Sequence, residues 1–126
     1  MRTTQLKNKT AYGHKLNRMN DQTYQLRRQV IDIIYQVNKL VQLPRIEVRI
    51  VSQGDSEVCG YAYMGEKVVH INEKHMNTPW FYQVVLHEIL HAVLSTEHNE
   101  ECDLMCANVR PMTNERALSI FLTYFK

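Results

Sequence analysis

The sequence lacks the features of a secreted or membrane-anchored protein. No run of about 18 apolar residues could span a bilayer, and no apolar run near the N-terminus could serve as the core of a signal peptide. Cysteine is scarce, and an odd number of cysteines without a secretory signal argues against a disulfide framework. We therefore expect a cytoplasmic protein in which Cys59, Cys102 and Cys106 are reduced thiols.

Acidic residues are absent from the first part of the chain. Residues 1–20 carry only basic charged side chains, although the 126 residues together have a net charge of only +2. We expect residues 1–20 to form a flexible basic arm. Contact of this arm with nucleic acid or an acidic partner is the less favoured alternative.

Residues 21–126 are enough for one hydrophobic core and too few for two typical domains. Apolar residues at helical spacing over residues 26–41 predict an amphipathic helix that ends before Pro44. The alternation over residues 46–50 predicts a half-buried strand. Two further strands flank Gly65-Glu66, which fits a hairpin with a type II′ turn, so we expect a three-stranded meander.

A second helix is expected to start at Thr78-Pro79, because Thr is a good N-cap and Pro is favoured at the first helical position. A last helix should follow Thr113. No internal repeat or low-complexity segment is present. The order of elements predicts a single α+β domain with a small twisted sheet of three to four strands.

The second helix carries His87-Glu88-Ile89-Leu90-His91. Residues four apart on a helix are neighbours about 5–6 Å apart, so two imidazoles at this spacing can bind one metal ion. The H-E-x-x-H pattern is typical of zinc sites in which the glutamate is a general base. The alternative is a helix on which two histidines and a glutamate have no common role.

A third zinc ligand must come from outside this pair, because catalytic zinc sites usually have three protein ligands. His98 is the first candidate and Glu97 the second. On a continued helix His98 would lie about 10 Å beyond His91, too far away to share a metal ion. A shared metal therefore predicts that the helix ends near residues 94–97.

The pattern His87-Glu88-x-x-His91, followed by His98 and then Asp103-Leu104-Met105, resembles the metzincin clan of zinc peptidases. The motif of that clan is H-E-x-x-H-x-x-G-x-x-H, followed by a Met-turn beneath the metal. The resemblance implies a zincin fold over residues 45–110, with Met105 in the Met-turn and an edge strand that aligns an extended peptide. Two departures are present: Leu94 replaces the motif glycine, and Glu97 occupies the third histidine position.

The predicted function is that of a zinc-dependent metallopeptidase, in which Glu88 acts as general base on zinc-activated water. We expect a monomer that takes a peptide or protein substrate and does not associate with membranes. Tyr61 or Tyr63 would help to shape the substrate pocket beside the hairpin.

Three alternatives remain open. Small intracellular H-E-x-x-H peptidases that cleave regulators have a similar order of elements and an acidic third ligand, for which the candidates are Glu100, Glu101 and Asp103. A zincin fold can also bind zinc and a partner without catalysis. The third alternative is a metal-dependent endoribonuclease. The bacterial enzymes that mature ribosomal RNA have a similar three-histidine pattern, but they have glycine where this chain has Glu88.

Overall fold

The computed structural model describes residues 21–51 and 58–126, so the predicted basic arm, residues 1–20, lies outside the described residues. The described parts contain three α-helices and a three-stranded mixed sheet, which confirms the α+β class. In chain order the elements are α1 (Asp21–Asn38), β1 (Glu47–Val51), β2 (Gly60–Ala62), β3 (Val68–Asn72), a 3-10 helix (Glu73–His75), α2 (Phe81–Leu94) and α3 (Asn114–Thr123). Across residues 21–51 and 58–126, none of the helices has the length and apolar character needed to cross a bilayer.

The sheet has the strand order β1-β3-β2. β1 is parallel to β3, with Val48 opposite Val69, and β2 is antiparallel to β3, with Tyr61 opposite His70. The predicted meander is therefore wrong, because β1 pairs with β3 and not with β2. Burial explains the order: β3 is buried along nearly its whole length, as a central strand is, whereas β1 and β2 are partly exposed.

The hairpin turn between β2 and β3 also differs from the prediction. The amide of Glu66 donates a hydrogen bond of 3.0 Å to the carbonyl of Tyr63, which places Gly65 third in the turn with a φ of 76°. A positive φ at the third position is the pattern of a type II turn, whereas a type II′ turn has it at the second. The conformation favours glycine here, one position later in the turn than expected.

The first and last helices end and begin near the predicted residues. α1 ends at Asn38, whose side-chain oxygen accepts a hydrogen bond from the amide of Leu43. Arg27 of α1 donates to the carbonyl of Val48 and so links the helix to β1. Thr113 caps α3, because its hydroxyl oxygen accepts from the amide of Arg116 at 3.1 Å.

The central helix α2 starts at Phe81, later than the predicted start at Thr78-Pro79. The Thr78 hydroxyl donates to the carbonyl of His75 and so joins the preceding 3-10 helix instead of capping α2. At the other end, Ser95 adopts the left-handed conformation with a φ of 56°, and its amide donates to the carbonyl of Leu90. The predicted end of the helix near residues 94–97 is confirmed.

One hydrophobic core joins the three helices to one face of the sheet. α2 is buried along most of its length and contacts both the sheet and α3. The fully buried side chains of this core include Val69 and Ile71 of β3, Ile89 of α2 and Phe121 of α3. This packing holds α2 firmly, and α2 carries the candidate site.

Candidate metal centre

Two imidazoles of α2 face each other. His87 and His91 are separated by one helical turn, and their ring centroids are 4.6 Å apart. Their Nε2 atoms are 3.0 Å apart. The helical spacing alone thus places two ligand atoms close enough to bind one metal ion.

The chain that follows α2 brings a third imidazole to the same point. The ring centroid of His98 lies 5.2 Å from that of His87 and 4.8 Å from that of His91. The left-handed residue that turns the chain is Ser95, one position after Leu94. Since the turn comes one residue later than in the metzincin motif, the third histidine also comes one residue later, at position 98.

Two backbone carbonyls fix the orientation of the buried imidazoles. Nδ1 of His87 donates to the carbonyl of Leu104 at 2.8 Å, and Nδ1 of His91 donates to the carbonyl of Thr96 at 2.5 Å. A carbonyl only accepts, so each neutral ring carries its proton on Nδ1 and has a free electron pair on Nε2. Metal-binding histidines are typically held in this way.

The donor set fits a metal ion. Two unprotonated Nε2 atoms that face each other at 3.0 Å repel unless a cation lies between them. Tetrahedral zinc, with bonds of about 2.0–2.1 Å to nitrogen, would separate such a pair by about 3.3 Å, close to the observed distance. The ligand atoms of His87, His91 and His98 all lie within 4.8 Å of one another.

Burial keeps the imidazoles in the form that binds metals. It lowers the pKa of His87 to about 4 and also holds the pKa of His91 below its ordinary value. Both rings are therefore neutral at neutral pH, and little free energy is spent on removing protons before a metal ion binds.

Glu88 lies beneath the edge strand β2 and is only 5% exposed. Its Oε1 atom has no hydrogen-bond partner within residues 21–51 and 58–126, and burial raises the pKa of this carboxyl group to about 8. A Cβ atom on Gly60 would lie 3.4 Å from Cγ of Glu88 and only 2.7 Å from the carbonyl oxygen of His70. Glycine at position 60 thus lets the backbone of β2 lie against the carboxylate.

An open cleft of about 140 Å³ lies beside the histidine group. His87, Glu88 and His98 line it together with parts of two segments, one before and one after α2 in the sequence. We call these segments the β2 wall, formed by Val58, Cys59 and Gly60, and the loop wall, formed by Leu104, Cys106, Ala107 and Val109. Neither wall carries a charged side chain, so a bound chain would meet aliphatic groups and thiols.

The other predicted ligands do not join this group. Glu97 is exposed, and among the described residues the candidate metal-binding group contains the three histidines alone. Asp103 pairs with Arg110 at 3.1 Å and with Arg116 at 2.5 Å. Glu100 contacts Arg110 and accepts a hydrogen bond from the amide of Ala107, and Glu101 is exposed.

The remaining predicted residues lie near the cleft without lining it. Met105 is fully buried in the core and directly follows Leu104, whose carbonyl holds His87. Tyr61 stacks on His70 with ring centroids 4.1 Å apart, and Tyr63 packs edge-to-face against Tyr61. Neither tyrosine is among the residues that line the cleft.

Two buried polar residues near the cleft were not predicted from the sequence: Gln83, which lines the cleft, and Asn72, which bonds to the lining residue Val58. Gln83 lies one turn before His87. A polar residue in the apolar first half of this helix is a sequence feature that could have marked Gln83 as a candidate. Asn72 looks like an ordinary strand end in the sequence, and only the structure shows that its side chain bonds to the distant residue Val58.

No protein family, curated protein or solved structure matches the chain, so inferences about function rest on the geometry of the site.

Proposed function

We propose that this protein is a zinc-dependent peptidase with a divergent zincin-like site. The observation that carries the proposal is the convergence of His87, His91 and His98, two of which, His87 and His98, line a cleft together with Glu88. Three protein ligands leave the fourth position of tetrahedral zinc open, as is usual for catalytic sites. Zinc is one of the metal ions that bind well to imidazole nitrogen. The carbonyls of Leu104 and Thr96 orient two of these imidazoles, as is typical around metal-binding histidines.

The chemistry divides between the metal and the protein. When bound, zinc supplies Lewis-acid chemistry that polarises a carbonyl group and lowers the pKa of water from 15.7 to about 7. Glu88 has a carboxyl oxygen without a partner among the described residues, in the same cleft as the imidazoles. A zinc ion bound nearby would favour the ionised form of Glu88, whose carboxylate could then accept a proton from water and donate it to the leaving amine, which is the role of a general base and acid.

The site also supports the proposed likeness to the metzincin clan. Relative to the motif, the left-handed residue and the third histidine are both displaced by one position, so the turn and the third ligand keep the same spacing from each other. Glu88 favours peptide hydrolysis over the endoribonuclease alternative, because those enzymes have glycine at this place.

The test is metal analysis combined with an activity assay on the purified chain. We expect about one zinc ion per chain and cleavage of a mixed peptide library. Glu88→Gln should retain zinc and lose cleavage, whereas Glu101→Gln, a change at an exposed glutamate, should retain both. Cleavage that persists in Glu88→Gln would refute the assignment of the base. Zinc binding without cleavage of any peptide would favour a non-catalytic binding protein, and cleavage of RNA would favour the nuclease.

A further inference from the structure

Two buried amide side chains bond to segments that form or adjoin the walls of the cleft, and one of them, Gln83, also lines the cleft. Asn72 is 2% exposed and Gln83 is 4% exposed. A buried side-chain amide carries donors and acceptors that must be satisfied within the protein. Each of these two residues makes its hydrogen bonds to a backbone segment next to a wall of the cleft.

Asn72 holds the β2 wall. Its Nδ2 donates to the carbonyl of Val58 at 2.9 Å, and its own backbone amide donates to the carbonyl of Cys59 at 2.9 Å. Val58 and Cys59 precede the three residues of β2. The Asn72 side chain therefore extends the pairing of β2 with β3 into a segment that lies outside the regular strand.

Gln83 holds the segment that continues the loop wall. Its Nε2 donates to the carbonyl of Arg110 at 3.0 Å, and its Oε1 accepts from the amide of Met112 at 3.2 Å. The segment that bears these groups is neither helix nor strand. The two bonds from one rigid helix thus fix an irregular segment directly after Val109, and Gln83 itself lines the cleft.

We propose that Asn72 and Gln83 are positioning residues that hold the two walls at a fixed separation for an extended substrate chain. Asn72 acts on the β2 wall and Gln83 on the loop wall. The identity of the substrate as a peptide rests on the proposed function, whereas the effect on the walls does not.

The thiols of the cleft report on each wall separately. Cys59 belongs to the β2 wall and Cys106 to the loop wall, and Cys102 does not line the cleft. The variants are Asn72→Ser, which keeps an acceptor for the amide of Lys74 but is too short to reach Val58, and Gln83→Met, which keeps the shape of the side chain. Gln36→Met is the control, because Gln36 is exposed on α1.

The first measurement is the alkylation rate of each thiol by iodoacetamide, followed by mass spectrometry of the native protein. We expect Asn72→Ser to raise the rate at Cys59 several-fold with little change at Cys106. Gln83→Met should do the reverse, and Gln36→Met should change neither rate. Equal increases at all three thiols, or no increase, would overturn the proposal, since the first indicates general loosening and the second indicates that the walls hold without these bonds.

The second measurement is steady-state kinetics on a peptide that the unaltered protein cleaves. Both variants should raise KM by about tenfold with kcat within about twofold and with unchanged zinc content, because the walls bind substrate and the reacting groups stay in place. A loss of kcat together with zinc would indicate a merely structural role. If no peptide is cleaved, the proposed function fails, and the thiol rates still decide whether the two amides hold the walls.

A second pair of variants covers the case in which the first pair fails to fold. Asn72→Asp and Gln83→Glu keep the acceptor oxygen that binds the amides of Lys74 and Met112. They lose the donor that binds the carbonyls of Val58 and Arg110. The same selective pattern of thiol rates is expected, and its absence in a folded variant would overturn the proposal.

Discussion

The amide of Gly65 donates a hydrogen bond of 3.2 Å to the carbonyl of His91. The last carbonyls of a helix have no partner within the helix, and here the hairpin turn satisfies one of them. The turn between β2 and β3 is therefore fastened to the same residue that presents the second imidazole of the candidate site. Changes in the turn should be felt at the end of α2.

Gly65→Ala should destabilise the protein. The residue has a φ of 76°, and an added Cβ would lie 3.2 Å from the side-chain oxygen of Ser95. We expect a loss of about 1–2 kcal/mol in the free energy of unfolding, measured by urea denaturation, because alanine is strained in the left-handed region. Gly65→Asn should lose less, since asparagine tolerates this conformation. Equal stability of the alanine variant and the unaltered protein would contradict the turn geometry.

Loss of the third imidazole should weaken zinc binding. Removing a group that only hydrogen-bonds to a metal ligand typically lowers metal affinity by roughly 10- to 100-fold. Because His98 would bind the metal itself, we expect His98→Ala to lower zinc affinity by more than that. Glu97→Ala is the matched control, because Glu97 is the exposed neighbour that lies outside the histidine group. Competition with a chromogenic chelator measures both affinities. A larger loss in Glu97→Ala would reassign the third ligand.

The stability of the metal-free protein should fall as the pH rises from about 7 to about 8. Burial lowers the pKa of His87, His91 and His70, so the folded state binds fewer protons than the unfolded state below the ordinary histidine pKa of 6.5. Their contribution to stability therefore rises with pH and is nearly complete by about pH 7.5. Burial raises the pKa of Glu88 from 4.5 to about 8, so its contribution falls as pH rises through this interval.

Above about pH 7 the histidine contributions change little while that of Glu88 still falls, so stability should fall by an amount on the order of 1 kcal/mol between about pH 7 and about pH 8. Urea denaturation in the presence of a chelator measures this fall. Glu88→Gln should remove it, whereas Glu101→Gln should leave it unchanged. A rise in stability over the same interval would show that Glu88 is ionised in the folded, metal-free protein.

Phe121→Ala should cost about 3–5 kcal/mol, since it removes a large side chain from a close-packed core. Phe121 is fully buried in the core that joins α3 to α2 and the sheet. Ser119→Ala on the same helix is the control, because Ser119 is exposed and alanine, a better helix former than serine, should not destabilise α3. Thermal or chemical denaturation measures both. A loss below about 1 kcal/mol for Phe121→Ala would mean that α3 contributes little to the core.

The sequence predicted best what depends on local spacing. His87 and His91 are one turn apart on any helix, and the distance to His98 required the helix to end where it does. The order of the strands was missed because the parallel pairing of β1 with β3 joins segments about 20 residues apart, which periodicity does not reveal. Asn72 and Gln83 were missed for a similar reason, because their partners are distant in sequence.

Leu104, whose carbonyl accepts a hydrogen bond from His87, lies only 17 residues after His87 in the sequence. Thr96 and His98 lie between them. The three imidazoles and both orienting carbonyls thus belong to one continuous stretch, and closing such a short loop costs little entropy. Under the proposed function, this stretch could bind zinc before the sheet has folded against it. Zinc would then also stabilise partly unfolded chains, so it should protect the native state less than its affinity for the folded protein would suggest.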